Sequence, residues 1–219
     1  MNKKLILIKT EKYVRDKLKN EGSGHDWWHV HRVSNTALSI AKREGADLFI
    51  VELGALLHDI ADYKFHGGDS TVGPRIASEW LLSLGADKDT LNHIKHIIQH
   101  VSFKGAAVKS RMKTLEGKII QDADRLDAIG AIGIARAFTY GGFRKNQLLY
   151  DPSGTIKKHR SFSEYKRKST ASTIHHFYEK LLLLKDLMNT KTGKKLAQHR
   201  HAFMERYLKQ FFEEWEGRK

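Results

Sequence analysis

The sequence predicts an all-α fold, and three observations support that prediction. Apolar residues recur every three or four positions along most of the 219-residue chain, which is the period of one face of a helix. Only two prolines occur, so the residue that most disrupts helices is rare. No segment alternates with the period of two that is typical of a half-buried strand. A chain of this length can form one good hydrophobic core, so a second domain is not required.

Six helices are predicted before residue 130. Gly45 stands where a C-cap is expected after the second helix, the loop Gly67-Gly68-Asp69-Ser70 caps the fourth, and Gly85 stops the fourth. The third helix is almost entirely apolar, and we therefore expect it to be central. The six helices cover residues 5–18, 26–44, 47–58, a segment that follows the loop 67–70 and runs to about 84, 88–100, and 115–129.

The pattern changes after residue 130. A short helix over 132–138 is followed by a loop over 139–160 that is rich in turn signals. Long loops in compact domains are often functional, and this one either closes over a polyphosphate or forms a basic surface through Arg144, Lys145, Lys157, Lys158, His159 and Arg160. Helices over 163–188 and 196–215 complete the chain. An aromatic stripe on the last helix is assigned to core or dimer packing: Phe203, Tyr207, Phe211, Phe212 and Trp215.

The composition favours an anionic partner and excludes cysteine chemistry. The net charge of +14 and the pI of about 9.8 suit nucleotides, nucleic acid or acidic membrane surfaces, although a solvated basic surface gives the same balance. Without cysteine there is no disulfide, thiolate metal site or cysteine nucleophile. No apolar run approaches the roughly 20 residues that span a bilayer, and the run at 5–8 is too short for a signal peptide. We expect a cytoplasmic protein.

Histidine and aspartate side chains lie beside core positions on three predicted helices. His58 and Asp59 end the apolar third helix, where burial of an imidazole and a carboxylate is costly unless a partner compensates. His29 lies on the inward face of the second helix, and Asp124 follows the apolar pair at 119–120. Two imidazoles and two carboxylates suit an octahedral divalent ion with open positions. This donor set fits Mn, Fe, Co, Ni, Zn or Mg and does not choose among them.

The order and the neighbours of these four residues resemble the HD-domain phosphohydrolase superfamily. The resemblance covers about residues 25–140 and rests on three motifs: His29-x-x-Arg32-Val33, Gly54-Ala55-Leu56-Leu57-His58-Asp59-Ile60 and Ala123-Asp124-Arg125-Leu126-Asp127. The chain is most similar to the small stand-alone bacterial hydrolases of the YedJ and YpgQ type, in which the segment at 122–131 is typical. The resemblance implies a compact helical HD-domain bundle. The C-terminal helices, at about 161–217, would pack on it as an extension within one domain, 1–219.

The resemblance also implies the activity and the metal ligands. It predicts hydrolysis of a phosphomonoester or a phosphoanhydride by a metal-dependent enzyme. We expect one divalent ion, manganese among the candidates, and a second ion is the weaker alternative. His25 and His31 compete with His29 as the first ligand: His25 lies one turn earlier and can line the same pocket, whereas His31 faces another side of the helix. The implied ligands are His29, His58, Asp59 and Asp124.

Further residues are candidates for catalysis or substrate binding. Asp62 stands one turn after His58, where an acidic residue of related nucleotide hydrolases assists the attacking water; an exposed helix end is the alternative. His96 and His100 share a helix face and are expected to line the substrate pocket or assist the leaving group. Alternatively, they are solvated or bind a second metal, as in some HD proteins. Phosphoryl transfer needs fixed cations, and the candidates are Lys64, Arg32 and Arg125. The two arginines are alternatively buried partners of acidic residues.

These observations predict a nucleotide pyrophosphohydrolase or phosphatase that acts through a metal-activated water. The expected partner is a small phosphorylated molecule and not a membrane. The basic charge is also compatible with nucleic acid as a partner. We expect a monomer or a homodimer. The alternative function is a non-catalytic nucleotide sensor or a nucleic-acid-binding HD protein. Guanosine tetraphosphate hydrolysis is disfavoured, because that family's motif continues with His-Asn where Asp127 and Ala128 stand here.

Overall fold

The computed structural model describes residues 2–19, 24–61, 69–105, 108–143, 148–156 and 172–219. Within these residues the regular structure is helical, and the one β feature is an isolated bridge between Leu148 and Ser172. The all-α prediction is therefore confirmed. The elements are α1 (Lys3–Lys17), α2 (Trp27–Glu44), α3 (Leu48–Leu57), α4 (Val72–Ser83), α5 (Lys88–Val101), α6 (Leu115–Asp127), α7 (Gly130–Phe143), α8 (Thr173–Glu179), a 3-10 helix (Leu181–Leu187) and α9 (Lys191–Trp215).

The chain forms two compact units. The first is Met1–Phe103 with Ser110–Ala123, and the second is Lys104–Lys109 with Asp124–Lys219. The first unit contains α1 to α5 and most of α6, and the second contains the end of α6 and the later helices. Helix α6 itself is uninterrupted across this boundary. The prediction that the chain forms a single domain stays a prediction.

Aspartate and glycine residues set the ends of the helices that approach the site. Asp26 Oδ1 accepts a hydrogen bond of 2.8 Å from the backbone N–H of His29 at the start of α2. Asp47 Oδ1 accepts one of 2.8 Å from the backbone N–H of Phe49 at the start of α3. Both bonds satisfy N–H groups that have no partner within the helix. Gly45 ends α2 with a φ of 73°, a left-handed conformation that glycine adopts easily, which confirms the predicted C-cap.

Helix α3 is the centre of the first unit, as its apolar sequence predicted. It packs against α1, α2 and α5, and Val51, Leu53 and Leu57 on it are fully buried. Gly54 allows α6 to approach α3 closely, since a Cβ at Gly54 would lie only 2.7 Å from Cδ1 of Ile120. The Ile120 side chain therefore packs directly on the backbone of α3.

The aromatic stripe on α9 is partly core of the second unit. Helix α9 packs on α7 and on the 3-10 helix, and α8 packs on the 3-10 helix and on α7. The ring of Tyr207 stacks on that of Phe177 with centroids 6.0 Å apart. Phe203 and Trp215 are exposed, so dimer packing through them stays a prediction.

Several predicted boundaries in the second unit are wrong. Helix α7 continues to Phe143, past the predicted end at 138. Gly133 lies within this helix, where the missing side chain allows close contact: a Cβ there would lie 2.3 Å from the carbonyl oxygen of Ala128. Helix α9 begins at Lys191 and not at 196, because Thr190 Oγ1 accepts a 2.9 Å hydrogen bond from the backbone N–H of Gly193.

The segment predicted as a helix over 163–188 is described from residue 172 onwards. It contains α8 and the 3-10 helix, which are separated at Lys180. The basic residues of the predicted loop lie outside the described residues: Arg144, Lys145, Lys157, Lys158, His159 and Arg160. Of the helices that the structure describes, none combines enough length with enough apolar character to cross a membrane.

Candidate metal centre

Two buried histidines reach the centre from different helices of the first unit. His29 lies in the first turn of α2, where the Asp26 cap holds its backbone, and its side chain is completely buried. His58 is the C-cap residue of α3 and is also buried. Asp59 follows it directly. The end of the central apolar helix therefore delivers an imidazole and a carboxylate into the interior, next to the imidazole from α2.

Three side-chain atoms form a small triangle. His29 Nε2 lies 3.2 Å from His58 Nε2 and 3.3 Å from Asp59 Oδ2, and His58 Nε2 lies 3.6 Å from the same oxygen. Donors bound at about 2.0–2.2 Å to one ion lie roughly 2.8–3.1 Å from each other in octahedral coordination and roughly 3.3–3.6 Å in tetrahedral coordination. The triangle is close to one face of such a coordination sphere, so these residues fit a divalent metal ion.

The tautomer of His58 supports the same conclusion. Its Nδ1 atom lies 2.7 Å from the carbonyl oxygen of Ala55, and a carbonyl oxygen can only accept, so Nδ1 carries the proton. In the neutral ring Nε2 then presents a lone pair towards His29 and Asp59. A backbone hydrogen bond on the far nitrogen is the usual way in which proteins orient a metal-binding imidazole.

The carboxyl group of Asp59 is held in its charged form. Burial alone would raise its pKa, but the neighbouring His58 and His25 imidazoles and the hydrogen bonds from His25 and His29 outweigh burial and keep the pKa well below its usual value. A metal ligand must be deprotonated, so this environment prepares Asp59 for coordination.

Asp124 is the fourth predicted ligand, and its place in the metal centre stays a prediction. It follows Ala123 directly on α6, one residue past the end of the first unit. It lies about one turn after the buried Ile120 on the same helix.

His25 also belongs to the cluster, although the family resemblance did not include it among the metal ligands. Its Nδ1 atom lies 2.6 Å from Asp59 Oδ2. The sequence signal was its place one turn before His29. His31, the other rival, is exposed, and its Nε2 lies 3.1 Å from Asn35 Nδ2. One ligand atom from each of His25, His29 and Asp59 lies within 4.8 Å of the others.

Comparison with known proteins identifies the family. The family model of the HD domain matches residues 27–129. The protein YpgQ of Bacillus subtilis is 41% identical over 202 residues, which is 90% of this chain and 88% of YpgQ. This chain belongs to the HD-domain family. The resemblance inferred from the motifs is thereby confirmed, and membership supports a hydrolase.

Solved structures of HD-domain relatives have the same fold. A protein from Lactobacillus plantarum is 38% identical with a TM-score of 0.87, covering 99% of this chain and 100% of that chain. An HD-superfamily hydrolase from Bacillus thuringiensis is 41% identical with a TM-score of 0.75, covering 98% and 99%. Bacillus subtilis YpgQ in complex with ADP is 37% identical with a TM-score of 0.73, covering 95% and 97%.

The candidate phosphate-binding residues of the HD domain have different surroundings. Arg125 is buried, and its Nη1 donates to the backbone carbonyl oxygen of Leu187. Arg32 is half-buried on α2. Asp62 and Lys64 lie outside the described residues. Phosphate or water contacts through these side chains stay predictions.

His96 and His100 are neighbours on α5, as their spacing predicted. Their ring centroids lie 4.4 Å apart, and His100 Nδ1 donates a 2.8 Å hydrogen bond to the backbone carbonyl of His96. Burial, followed by nearby positive groups, lowers the pKa of His96. Within the described residues, neither joins a group of three ligand atoms within 4.8 Å. Their roles in catalysis or in binding a second metal stay predictions.

Gln121, which is not among the residues predicted for the site, holds the end of α5. Its side chain is buried, and Nε2 donates to the carbonyl oxygens of His100, at 3.1 Å, and Val101, at 3.3 Å. Ser110 Oγ donates to its Oε1 at 3.2 Å. The available signal was an uncharged amide at a core position of a predicted helix, directly after two isoleucines.

Proposed function

We propose that this HD-domain protein is a metal-dependent phosphohydrolase that cleaves a phosphoester or phosphoanhydride bond of a nucleotide. The observation that carries the proposal is the triangle of His29 Nε2, His58 Nε2 and Asp59 Oδ2, with sides of 3.2, 3.3 and 3.6 Å. These residues, together with Asp124, would hold one divalent ion, with Mn, Co, Ni, Fe, Zn and Mg as candidates.

The electrostatics of the ligands suit an anionic substrate. A bound divalent ion lowers the pKa of a coordinated water and withdraws charge from phosphoryl oxygens. Asp59 and Asp124 contribute two negative charges, and neutral His29 and His58 contribute none, so the ligand charges balance those of a divalent ion. A phosphate that approaches the loaded site is therefore not repelled by an excess of carboxylates.

Two further observations favour a nucleotide over other phosphorylated molecules. The relative YpgQ, which is 37% identical by structural comparison, has been solved in complex with ADP. The chain carries a net charge of +14, which attracts polyanions and raises the rate at which they are encountered. Arg32 and Lys64 are the proposed phosphate contacts, and Asp62, His96 and His100 the proposed proton-handling residues.

A metal-dependence assay tests this proposal. Metal-free protein would be reloaded separately with each candidate ion and offered nucleoside mono-, di- and triphosphates, and phosphate and pyrophosphate would be measured separately. We expect turnover only with a divalent ion. Pyrophosphate release from triphosphates would assign the anhydride bond, and phosphate release from monophosphates would assign the ester bond.

Two matched variants complete the assay. Asp59→Asn keeps the shape of the side chain but removes a ligand charge, and we expect more than about a hundredfold loss of activity, since even residues that only support ligands contribute 10–100-fold. Asp89→Asn makes the same change at an exposed position on α5 and should leave activity unchanged. No metal-stimulated turnover on any substrate, or full activity of Asp59→Asn, would contradict the proposal. Tight nucleotide binding without turnover would indicate the alternative, a non-catalytic sensor.

A further inference from the structure

His25 contacts the candidate metal centre from outside the ligand triangle. It precedes α2, and its Nδ1 lies 2.6 Å from Asp59 Oδ2. This separation is shorter than the roughly 2.8–3.6 Å expected between two ligand atoms on one ion. It matches a short charge-assisted hydrogen bond instead. His25 is therefore a hydrogen-bond partner of the carboxylate and not a fifth ligand of the same ion.

The direction of this bond follows from the carboxylate. A carboxylate that binds a metal ion is ionised, and an ionised carboxylate only accepts, so Nδ1 of His25 donates. The His25 side chain is 20% exposed, against 0% for His29 and 1% for His58. The imidazole thus lies at the solvent edge of a buried cluster and covers one side of the oxygen that completes the triangle.

The ring of His25 is itself held in place. It meets the ring of His29 nearly edge to face, with centroids 5.5 Å apart and an interplanar angle of 76°. Asp26, the next residue, is fixed as the N-cap of α2. The donor is therefore anchored at the same helix start that presents His29, and it links the carboxylate after α3 to the start of α2.

We infer that His25 is a positioning residue: it holds Asp59 Oδ2 in the orientation in which that oxygen, together with His29 and His58, can bind a divalent ion. This inference rests on the proposed function. Ligating carboxylates in metal proteins are commonly hydrogen-bonded, and loss of such a partner typically costs 10–100-fold in metal affinity or activity. His25 acts through Asp59 and does not need to touch substrate.

The test compares two substitutions in the full-length protein. His25→Asn keeps an amide N–H close to the position of Nδ1, and His25→Leu has a similar size but no donor. The Mn²⁺ dissociation constant would be measured by electron paramagnetic resonance on metal-free protein titrated with Mn²⁺ alone. We expect His25→Leu to bind about 10–100-fold more weakly, and His25→Asn to recover most of the affinity. Thermal unfolding of both metal-free variants would be recorded in parallel.

The controls separate this inference from the proposed function. His31→Leu, at the exposed position in the same motif, should keep wild-type affinity. Unchanged affinity of His25→Leu, equal losses in the Leu and Asn variants, or an equal loss in His31→Leu would overturn the role of His25. His58→Ala tests the centre itself: if it binds Mn²⁺ as the wild type does, the proposed metal site fails as well. If His58→Ala loses binding and His25→Leu does not, only the role of His25 fails.

Discussion

Replacement of Ile120 by alanine should destabilise the first unit. Ile120 is fully buried on α6, and its Cδ1 lies against the backbone of Gly54 on α3. The change removes a methyl and an ethyl group, which is worth roughly 2.4 kcal/mol of transfer free energy at about 0.8 kcal/mol per carbon. The cavity adds to this, and such substitutions cost about 2–5 kcal/mol in total. Because Gly54 has no side chain to fill the space, we expect a loss of about 3–5 kcal/mol.

The assay is urea unfolding of the metal-free protein, followed by far-ultraviolet circular dichroism, and a Mn²⁺ titration under native conditions. Asp124 lies about one turn beyond Ile120 on α6, so a shift of this helix should weaken metal binding too. Ile132→Ala makes the same change on α7 at a side chain that is 44% exposed and should cost less than about 1 kcal/mol. A loss below about 1 kcal/mol for Ile120→Ala, or equal losses for the two variants, would refute the packing argument.

Two further predictions concern α7 and the histidine pair on α5. Gly133→Ala should lower the free energy of unfolding by about 1–3 kcal/mol, because the new Cβ would lie 2.3 Å from the carbonyl oxygen of Ala128; a stabilised variant in thermal unfolding would contradict this. His96→Gln should flatten the dependence of stability on pH. Burial, and then nearby positive groups, lower the pKa of His96 below 6.5. As the pH falls through 6.5, the unfolded chain therefore binds a proton at this histidine more readily than the folded protein does. The free energy of unfolding of the wild type should decrease in this pH range. Equal slopes for wild type and variant in urea unfolding would show that His96 makes no such contribution.

The sequence predicted best where local signals agree. Helix α2 has helical periodicity, an aspartate before its first turn and Gly45 after its last, and its predicted and observed limits differ by one residue at most. Helix α7 was predicted too short at its end because Gly141 and Gly142 were interpreted as a turn signal. Gly133 is needed for close contact with the carbonyl of Ala128, and the spatial neighbour that makes a glycine favourable is not visible in a local window.

The same limit applies to the site. The four ligands were expected together because each has apolar neighbours in the sequence and lies in a family motif. They are His29, His58, Asp59 and Asp124. The distinction between His25 and His31 required the path of the chain before α2, since both are close to His29 in sequence. The surroundings of Arg125 depend on the carbonyl of Leu187, which is distant in sequence and carries no identifiable signal.

The central claim is that His29, His58, Asp59 and Asp124 hold a divalent ion. The most direct measurement is an anomalous difference map, recorded at the manganese absorption edge, from crystals of this protein grown with Mn²⁺. We expect one strong peak at about 2.0–2.2 Å from His29 Nε2, His58 Nε2 and carboxylate oxygens of Asp59 and Asp124. A map without a peak at these atoms, or with its main peak held by other side chains, would contradict the claim.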